Sequence, residues 1–452
     1  MQSVHGKEWD CKSTEREGFM EKIKKASEAD QDYELKEVPL DKRRSFTNLA
    51  IVWTGYVFLI TSMVAGGGLA AGLTFREIII TTILGNVFLG VLAILVSVIA
   101  CKTGLTFALL TRHSFGVKGS RIASLFVPLV NLGWYTIQSA TYGHLIAQIL
   151  HLGSIGEIIC MMISALVMGA FALAGMNAIS ILGYVAIPAV TFLSIATAVK
   201  AVTVTGGFSA VLEYIPANPS TIAEGATIVI GTWVFGTVAC IADIMRYAKN
   251  TKEAVAASLT GLVGGNTLLV LCGAITAIAM GESDLTTVLL SMGLVIPSVI
   301  LLTTNIFTTN AANLYSMSLN LANAFSMGRK KMLLVILAVS AALMVFKPYQ
   351  IGFLFTFLDL LGYIVPPLAG IIFSDYYLVK KGVYKKVSDI TLTAWNIPAW
   401  LTWAASLAIV YTLPMGQPSV TGIIAAVVIY TILMKVWPQK AEEGAGGAYE
   451  KI

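Results

Sequence analysis

Long apolar stretches separated by short polar segments run from residue 45 to residue 436. We interpret twelve of them as transmembrane helices, numbered helix one to helix twelve in chain order. The pattern therefore predicts an all-α integral membrane protein with twelve crossings. The stretches lie near residues 47–72, 77–100, 120–149, 155–174, 178–203, 225–248, 254–280, 287–325, 332–346, 351–378, 393–413 and 418–436.

The first stretch has an unusual pattern. Residues 45–75 carry no charged side chain, yet they contain Gly55, Thr61, Ser62 and three consecutive glycines, 66–68. A straight helix of this length would reach ~45 Å, whereas the hydrocarbon core of a bilayer is about 30 Å thick. We predict that helix one is tilted or interrupted. An interrupted helix exposes backbone groups that must face protein, water or a ligand, so helix one is a candidate binding element.

Helix six has a similar glycine pattern, with Gly231 and Gly236 around Trp233. Secondary transporters commonly pair one interrupted helix in each half around a central site. We therefore predict a five-plus-five inverted repeat with interrupted helices one and six. Each glycine taken singly could instead serve close helix packing. The predicted units are residues 45–203 and 225–378 as the repeats, 390–436 as helices eleven and twelve, and 1–44 and 437–452 as cytoplasmic tails.

Composition and charge support a lipid environment. Mean hydropathy is +0.79, and 12% of residues are charged, too few for the surface of a soluble domain. Positive residues mark cytoplasmic loops, and here they follow helices two, six, eight and ten, which places both termini in the cytoplasm. The net charge of +5 reflects this orientation and not a nucleic-acid partner. The positive residues concerned are Lys102, Arg112, Lys118, Arg121, Arg246, Lys249, Lys252, Arg329, Lys330, Lys331, Lys380, Lys381, Lys385 and Lys386.

Helix eight carries the most polar of the apolar stretches. Asn305, Thr308 and Thr309 are spaced i, i+3 and i+4, so they share one helix face. Hydroxyl and carbonyl oxygens are ligands for a small cation, and carbonyls freed by the interruption of helix one could complete the shell. The alternative is that the hydroxyls bond back to their own helix and the amide bridges helices.

Tryptophans and amides form a second candidate site. Asn131 and Trp134 are three residues apart in helix three, and Thr232 precedes Trp233 in helix six. Two indole faces with nearby amides suit a flat, polar, uncharged heterocycle, because an amide pairs a donor and an acceptor side by side. Each Trp could instead belong to the aromatic belt at the membrane interface.

Asp359 lies inside helix ten without a nearby partner in sequence. A carboxyl group in a membrane helix suggests a proton carrier or part of a gate. Contact with a water-filled vestibule is the alternative.

Several motifs along the chain resemble those of nucleobase-cation-symport family 1, in particular its cytosine permease branch. The resemblance is carried by residues 32–39 with 43–45, 103–106 with 112–120, Asn131 to Trp134, Ala242-Asp243 with Arg246, Asn305 to Asn310, Pro366-Pro367 and Asp375-Tyr376. It covers nearly the whole chain. It implies a leucine-transporter-like inverted repeat that binds a nucleobase and one sodium ion at its centre.

The resemblance also implies roles for individual residues. Trp134 and Trp233 would sandwich the base, while Asn310, Asn131, Thr232 and the backbone near Leu59 would read its polar edge. Sodium would bind to backbone oxygens of Gly55 and Phe58 and to Asn305, Thr308 and Thr309. Phe235 stands where cytosine permeases have a serine, so this chain replaces a hydroxyl in the pocket with a ring.

The sequence thus predicts a monomeric, sodium-coupled importer of a nucleobase, with cytosine first, in the cytoplasmic membrane. The alternatives are a proton-coupled symporter of a purine, a thiamine-precursor pyrimidine or another flat heterocycle, and a ligand sensor that does not transport. An enzyme is not expected, because no nucleophile, base and orienting partner occur together.

Overall fold

The computed structural model describes residues 37–172, 175–282, 288, 290–325, 329–384, 392–413 and 416–439. Most of both predicted tails lies outside these residues, as do Lys385 and Lys386. The described chain is a bundle of helices: α1 Phe46–Val57, α2 Ile60–Ala70, α3 Phe75–Thr103, α4 Phe107–Phe115, α5 Val117–Ile149, α6 Ser154–Ala172, α7 Gly175–Val204, α8 Ser209–Leu212, α9 Ile222–Phe235, α10 Ile241–Met245, α11 Thr251–Leu259, α12 Thr267–Met280, α13 Val295–Phe325, α14 Arg329–Leu343, α15 Ile351–Phe373, α16 Ile397–Thr412 and α17 Pro418–Val436.

Among the described residues, seven helices are long and apolar enough to cross a membrane, or eight if the bent pair α1 and α2 is counted as one crossing. Three shorter apolar helices accompany them. Apolar side chains also point outward: on α3, Ile83, Val87 and Val91 recur every four residues and are each about half exposed. Such a stripe suits lipid. The chain is a multi-pass helical membrane protein, while twelve crossings and the inverted repeat stay predictions.

The predicted interruption of helix one lies at Phe58 and Leu59. Here α1 ends and α2 begins, with a bend of 47° between them. The first amide of α2, the N–H of Ile60, donates to Oδ1 of Asn305 at 2.8 Å. Because the start of a helix leaves amide groups without partners, this side chain caps α2 and holds the interruption against α13.

Helix six differs from its prediction. It continues from α9 through a π-helical turn, Gly236–Cys240, into α10, so the predicted break is replaced by a local widening of the helix. The hydroxyl of Thr237 donates to the carbonyls of Trp233 and Val234, both at 3.0 Å, and so helps to satisfy backbone acceptors in the irregular turn.

Neighbouring helices pack closely throughout the bundle. α3 packs against α9 and α11, α2 packs against α12, and α5 packs against α6 and α13. The crossing of α2 and α12 is very close: a Cβ atom on Gly66 would lie 2.0 Å from the carbonyl oxygen of Val270, and one on Gly273 would lie 2.0 Å from that of Met63. The two backbones therefore touch, which is the usual role of glycine in membrane helix packing.

Candidate functional site

A small cavity lies where the interruption of helix one meets α5, α9 and α13. Its volume is about 10 Å³, roughly the room of one water molecule. A flat heterocycle can therefore enter only if the walls separate. Of the predicted site residues, Leu59, Trp134, Thr232, Trp233, Phe235 and Thr309 line it, together with Tyr56, Gln138, Gly236 and Asn313.

Both tryptophans of the cavity are held by the edges of other rings. Trp134 meets Phe357 of α15 with ring centroids 5.5 Å apart, and Trp233 meets Tyr56 at 5.3 Å. The indole N–H of Trp233 also donates to the hydroxyl of Ser62 at 3.3 Å. Edge-to-face packing fixes the orientation of each indole in this closed arrangement.

Gln138 is a site residue that the sequence analysis missed. Its side chain is 1% exposed and lines the cavity, and neither its Oε1 nor its Nε2 has a hydrogen-bond partner among the described residues. A buried polar group left unpaired costs about 1–3 kcal/mol, which a ligand that pairs with it recovers. One signal was present in the sequence: Gln138 lies four residues after Trp134, on the same helix face.

Asn313 was also missed, and it takes part in closing the cavity. The hydroxyl of Tyr56 donates to its Oδ1 at 2.6 Å, while its Nδ2 has no partner among the described residues. Tyr56 also lines a second small cavity, together with Asp243. Tyr56, which bonds to Asn313, is therefore shared by the two cavities.

Three predicted base-reading residues contact other helices or their own helix. Asn131 accepts from the thiol of Cys240 at 3.7 Å, and Nδ2 of Asn310 donates to the hydroxyl of Ser139 at 3.0 Å. Neither Asn131 nor Asn310 is among the residues that line the cavity. Thr232 lines it, although its hydroxyl donates to the carbonyl of Val229 in its own helix.

The predicted cation ligands lie on the elements that meet at the interruption of helix one. Gly55 is in the last turns of α1 and Phe58 is at the interruption, which the capping bond from Asn305 ties to α13. The hydroxyls of Thr308 and Thr309 donate to the carbonyls four residues earlier, at 2.6 and 3.1 Å. Each hydroxyl oxygen keeps lone pairs, so this back-bonding is compatible with a hard cation. The chemistry of these donors suits sodium.

The end of the bundle that carries the N-terminal segment is closed. The carboxylate of Asp243 accepts from the hydroxyl of Ser316 at 2.6 Å and from the N–H of Phe107 at 3.0 Å. Beyond it, Nη1 of Arg43 donates to the carbonyls of Cys101 and Ala248, both at 2.9 Å. The segment before helix one thus joins the ends of α3 and helix six.

Asp359 does not line the central cavity. It faces a larger cavity near the opposite end of the bundle, between α9, α15 and the α16–α17 hairpin.

Sequence comparison identifies the family. The model of the family described as "Permease for cytosine/purines, uracil, thiamine, allantoin" matches residues 37–445. The cytosine permease of Escherichia coli K12 is 31% identical over 414 residues, which cover 91% of this chain and 96% of that protein.

Solved structures agree on the fold. Mhp1, a nucleobase-cation-symport-1 family transporter in a closed conformation with bromovinylhydantoin bound, has a TM-score of 0.77 at 22% identity, covering 90% of this chain and 97% of that one. A Na⁺-coupled sialic acid symporter in a substrate-bound outward-open state has a TM-score of 0.62 at 11% identity, covering 94% and 98%. Both have the same fold as this chain. The chain belongs to the nucleobase-cation-symport-1 family of permeases and is a membrane transporter, not an enzyme.

Proposed function

We propose that the protein imports cytosine or a closely similar nucleobase together with sodium, by alternating access. The observation that carries this proposal is the side chain of Gln138, buried beside Trp134 and Trp233 with neither its donor nor its acceptor paired among the described residues. An amide of this kind pairs in two places with the polar edge of a nucleobase, while the indoles accept any flat ring.

Phe235 bears on which base is selected. It lines the cavity, is 3% exposed and offers no hydrogen-bonding group. The edge of the ligand that faces Phe235 finds no hydrogen-bond partner on that ring. A ligand with an apolar group at this edge therefore fits better than one with a polar group there, because a buried polar group without a hydrogen bond is costly. The competing substrates are purines and uracil, which the description of the family names together with thiamine, and thiamine-precursor pyrimidines.

Sodium coupling is supported by the oxygen donors of α13 beside the interruption of helix one. A cation bound there would contact both α1 and α13, and it would favour the arrangement in which the base site is formed. Each ligand would then raise the affinity of the other by the same factor.

The proposed location is the cytoplasmic membrane, with both termini in the cytoplasm and a monomer as the transporting unit. The positive residues at the ends of helices two, six, eight and ten support this orientation. Nucleobases would then enter from the end at which α2 ends and α9 begins.

The proposal is tested by thermal stabilisation of the purified protein with a panel of nucleobases, with sodium or with choline. A ligand that binds only the folded state raises stability by about 2.7 kcal/mol at a hundred times its dissociation constant. We expect a shift with cytosine that is larger in sodium. A shift with another base alone would reassign the substrate, and equal shifts in sodium and choline would contradict sodium coupling.

Thr309→Ala should raise the sodium concentration needed for half-maximal stimulation of nucleobase binding about tenfold. The reason is that it removes one oxygen from the proposed cation shell. Thr304→Ala is the matched control, since Thr304 is on the same helix and its hydroxyl also bonds to the carbonyl four residues earlier. Titrations of sodium at fixed cytosine measure the effect. An unchanged sodium midpoint in Thr309→Ala would remove this residue from the cation site.

Proton coupling through Asp359 is the alternative that one observation favours, since this carboxylate has no ion-pair or hydrogen-bond partner among the described residues. Uptake of cytosine into proteoliposomes distinguishes sodium coupling from proton coupling. We expect uptake to require a sodium gradient and to survive a protonophore. Uptake that persists without sodium and stops with the protonophore would favour protons, and binding without uptake would indicate a sensor.

A further inference from the structure

The larger cavity has the size and shape of a ligand site. Its volume is about 620 Å³, within the range of roughly 300–1,000 Å³ that is usual for small-molecule sites. It lies between the start of α9, the outer half of α15, the end of α16 and the start of α17. This end of the bundle is opposite Arg43. Arg43 lies just before helix one and Gly72 just after it, and the N–H of Ser220, in the segment that leads into α9, donates to the carbonyl of Gly72.

Two carboxylates face this cavity. Glu224 is in the first turn of α9 and Asp359 is more than two turns inside α15. Among the described residues that line the cavity, none is Lys, Arg or His. The lining is therefore net negative and favours a cation.

Asp359 is the less expected of the two. Glu224 has a local role, because its carboxylate accepts from the N–H of Thr221 in a capping box. Asp359 has no such bond or ion pair among the described residues, and it is exposed to the cavity although it lies within a membrane-spanning helix. A carboxylate in such a place costs free energy, and ionisable residues inside membrane helices usually serve a function.

The wall beside Asp359 is aromatic. Tyr363, one helical turn further along α15, stacks on Tyr411 of α16 with ring centroids 5.0 Å apart and planes at 12°. Tyr411 is 61% exposed, so its ring remains accessible. An aromatic face next to carboxylates is the combination that binds ammonium or amidinium groups attached to an apolar body.

We propose that this cavity is a second ligand site, which binds a small organic cation with an aromatic or aliphatic body, separately from the nucleobase site. Asp359 and Glu224 supply the charge and Tyr411 supplies the aromatic face. The ligand would also contact helix ten next to the nucleobase site, because Leu358 lines this cavity while its neighbour Phe357 packs on Trp134.

Benzamidine is a suitable probe, and benzamide is its uncharged counterpart of the same shape. Calorimetric titration of the purified protein in detergent, without nucleobase, should show binding of benzamidine and none of benzamide at the same concentrations. Asp359→Asn should weaken benzamidine binding about tenfold or more, since it removes a charged hydrogen-bond partner. Equal binding of both compounds, or of neither, would overturn the proposal.

Glu224→Gln gives an independent test and has a matched control. Glu77 forms the same capping box with Thr74 at the start of α3, so Glu77→Gln makes the same change outside the cavity. We expect weaker benzamidine binding in Glu224→Gln and wild-type binding in Glu77→Gln. The same loss in both variants would show that capping, not charge in the cavity, is responsible.

Benzamidine is flat and could enter the nucleobase cavity instead. The variant Gln138→Leu distinguishes the two sites, because it changes the nucleobase cavity only. Benzamidine should bind to this variant with wild-type affinity. In the wild type, saturating cytosine should not compete with benzamidine. Loss of benzamidine binding in this variant would overturn the proposal. The result with Gln138→Leu does not depend on whether cytosine is the substrate, because this variant is titrated with benzamidine alone.

A lipid headgroup carries the same cationic chemistry. Benzamidine should bind equally in nanodiscs of phosphatidylethanolamine and of phosphatidylglycerol if the ligand is a soluble cation. Weaker binding of benzamidine in phosphatidylethanolamine nanodiscs would show that the ammonium group of this lipid competes for the cavity. It would overturn the proposal that the ligand is a soluble cation.

Discussion

Among the buried polar side chains of the bundle, Gln138 has an uncommon environment. Thr, Ser and Asn side chains nearby mostly bond to backbone or to another helix, as Thr232 and Asn310 do. Gln138 has a donor and an acceptor, both buried, and neither is paired among the described residues. A buried amide of this kind contributes more to the selection of a ligand than to the stability of the fold.

Replacing Gln138 with Leu should therefore reduce nucleobase affinity about tenfold or more while leaving the fold intact or slightly more stable. Leu keeps most of the volume and removes both unpaired atoms. Gln148→Leu is the control, because Gln148 is on the same helix but bonds to His144 at 2.8 Å. Equilibrium binding of labelled cytosine measures both. Equal affinities of wild type and Gln138→Leu would exclude this side chain from the site.

At the residue scale, the sequence indicated which helices carry candidate site residues but did not decide the role of each side chain. Trp134 and Trp233, predicted to stack on a base, both line the central cavity, while the stacking itself stays a prediction. Asn131 and Asn310 were expected beside the base but bond between helices. An amide serves either role equally well, so its spacing alone does not decide between them.

At the scale of single elements, two glycines in π-helical turns differ sharply. Gly236 lies against Trp233, so that a Cβ atom would be 2.6 Å from the indole ring. Gly264 lies in the π-helical turn of helix seven, Thr260–Asn266, and no described atom outside its own stretch of helix would lie within 4 Å of such a Cβ. The first glycine is required by the ring beside it, whereas the second has open space.

Gly236→Ala should displace Trp233 and lower nucleobase affinity about tenfold, since a contact this short forces either the ring or the helix to move. Gly264→Ala should bind normally and gain roughly 0.5–1 kcal/mol in stability from reduced chain entropy. Binding and thermal unfolding of both variants provide the comparison. Normal affinity in Gly236→Ala would mean that the indole position is not needed.

The short helix α4, between helices two and three, carries a buried histidine. His113 stacks on Tyr384 with ring centroids 4.0 Å apart, and burial, with Lys380 and Arg112 nearby, lowers its pKa to about 3. An unfolded histidine has a pKa of about 6.5. The folded state therefore binds this proton less readily, and its stability falls as pH decreases below about 6.5.

His113→Asn should remove this part of the acid sensitivity. Between pH 7.5 and pH 5 the wild type should lose about 2 kcal/mol more than the variant, from about 1.4 kcal/mol per pH unit below 6.5. Thermal unfolding at both pH values measures the difference. The same loss in both proteins would mean that other groups dominate.

Helix one shows what a pattern can predict about an element. Its uncharged length and its glycines correctly indicated an interruption, but not that it lies at Phe58 and Leu59. The cap from Asn305, 245 positions away in sequence, helps to fix it there. The π-helical turn in helix six was predicted as a break because glycine loosens a helix in either case. Helix six stays continuous there, with Trp233 packed against Tyr56 and Ser62 and with the hydroxyl of Thr237 bonded back to its own helix.

At the scale of the whole molecule, the segment before helix one connects elements that are distant in sequence. Besides the bonds of Arg43 to Cys101 and Ala248, the N–H of Arg44 donates to the carbonyl of Tyr247 at 2.6 Å. These contacts hold one end of the bundle closed. A transporter that alternates must release them in each cycle.

Arg43→Ala should favour opening at this end, because hydrogen bonds to charged groups contribute about 1.5–3 kcal/mol each. Cys101, which is 7% exposed beside Arg43, should react with a maleimide about tenfold faster or more. Lys42→Ala is the control, since within the described part of the chain the side chain of Lys42 makes one exposed ion pair, with Asp41. Mass spectrometry of the labelled peptide gives the rate, and identical rates would show that Arg43 does not hold the closed end.

The crossing of Gly66 and Gly273 has a mechanical consequence. Where two backbones are in direct contact, neither lipid nor water separates them, and one helix cannot slide past the other without breaking that contact. The second half of helix one, α2, and helix seven therefore move as one rigid body. Bending of helix one is then concentrated in Phe58 and Leu59, between α1 and α2, which serve as its hinge.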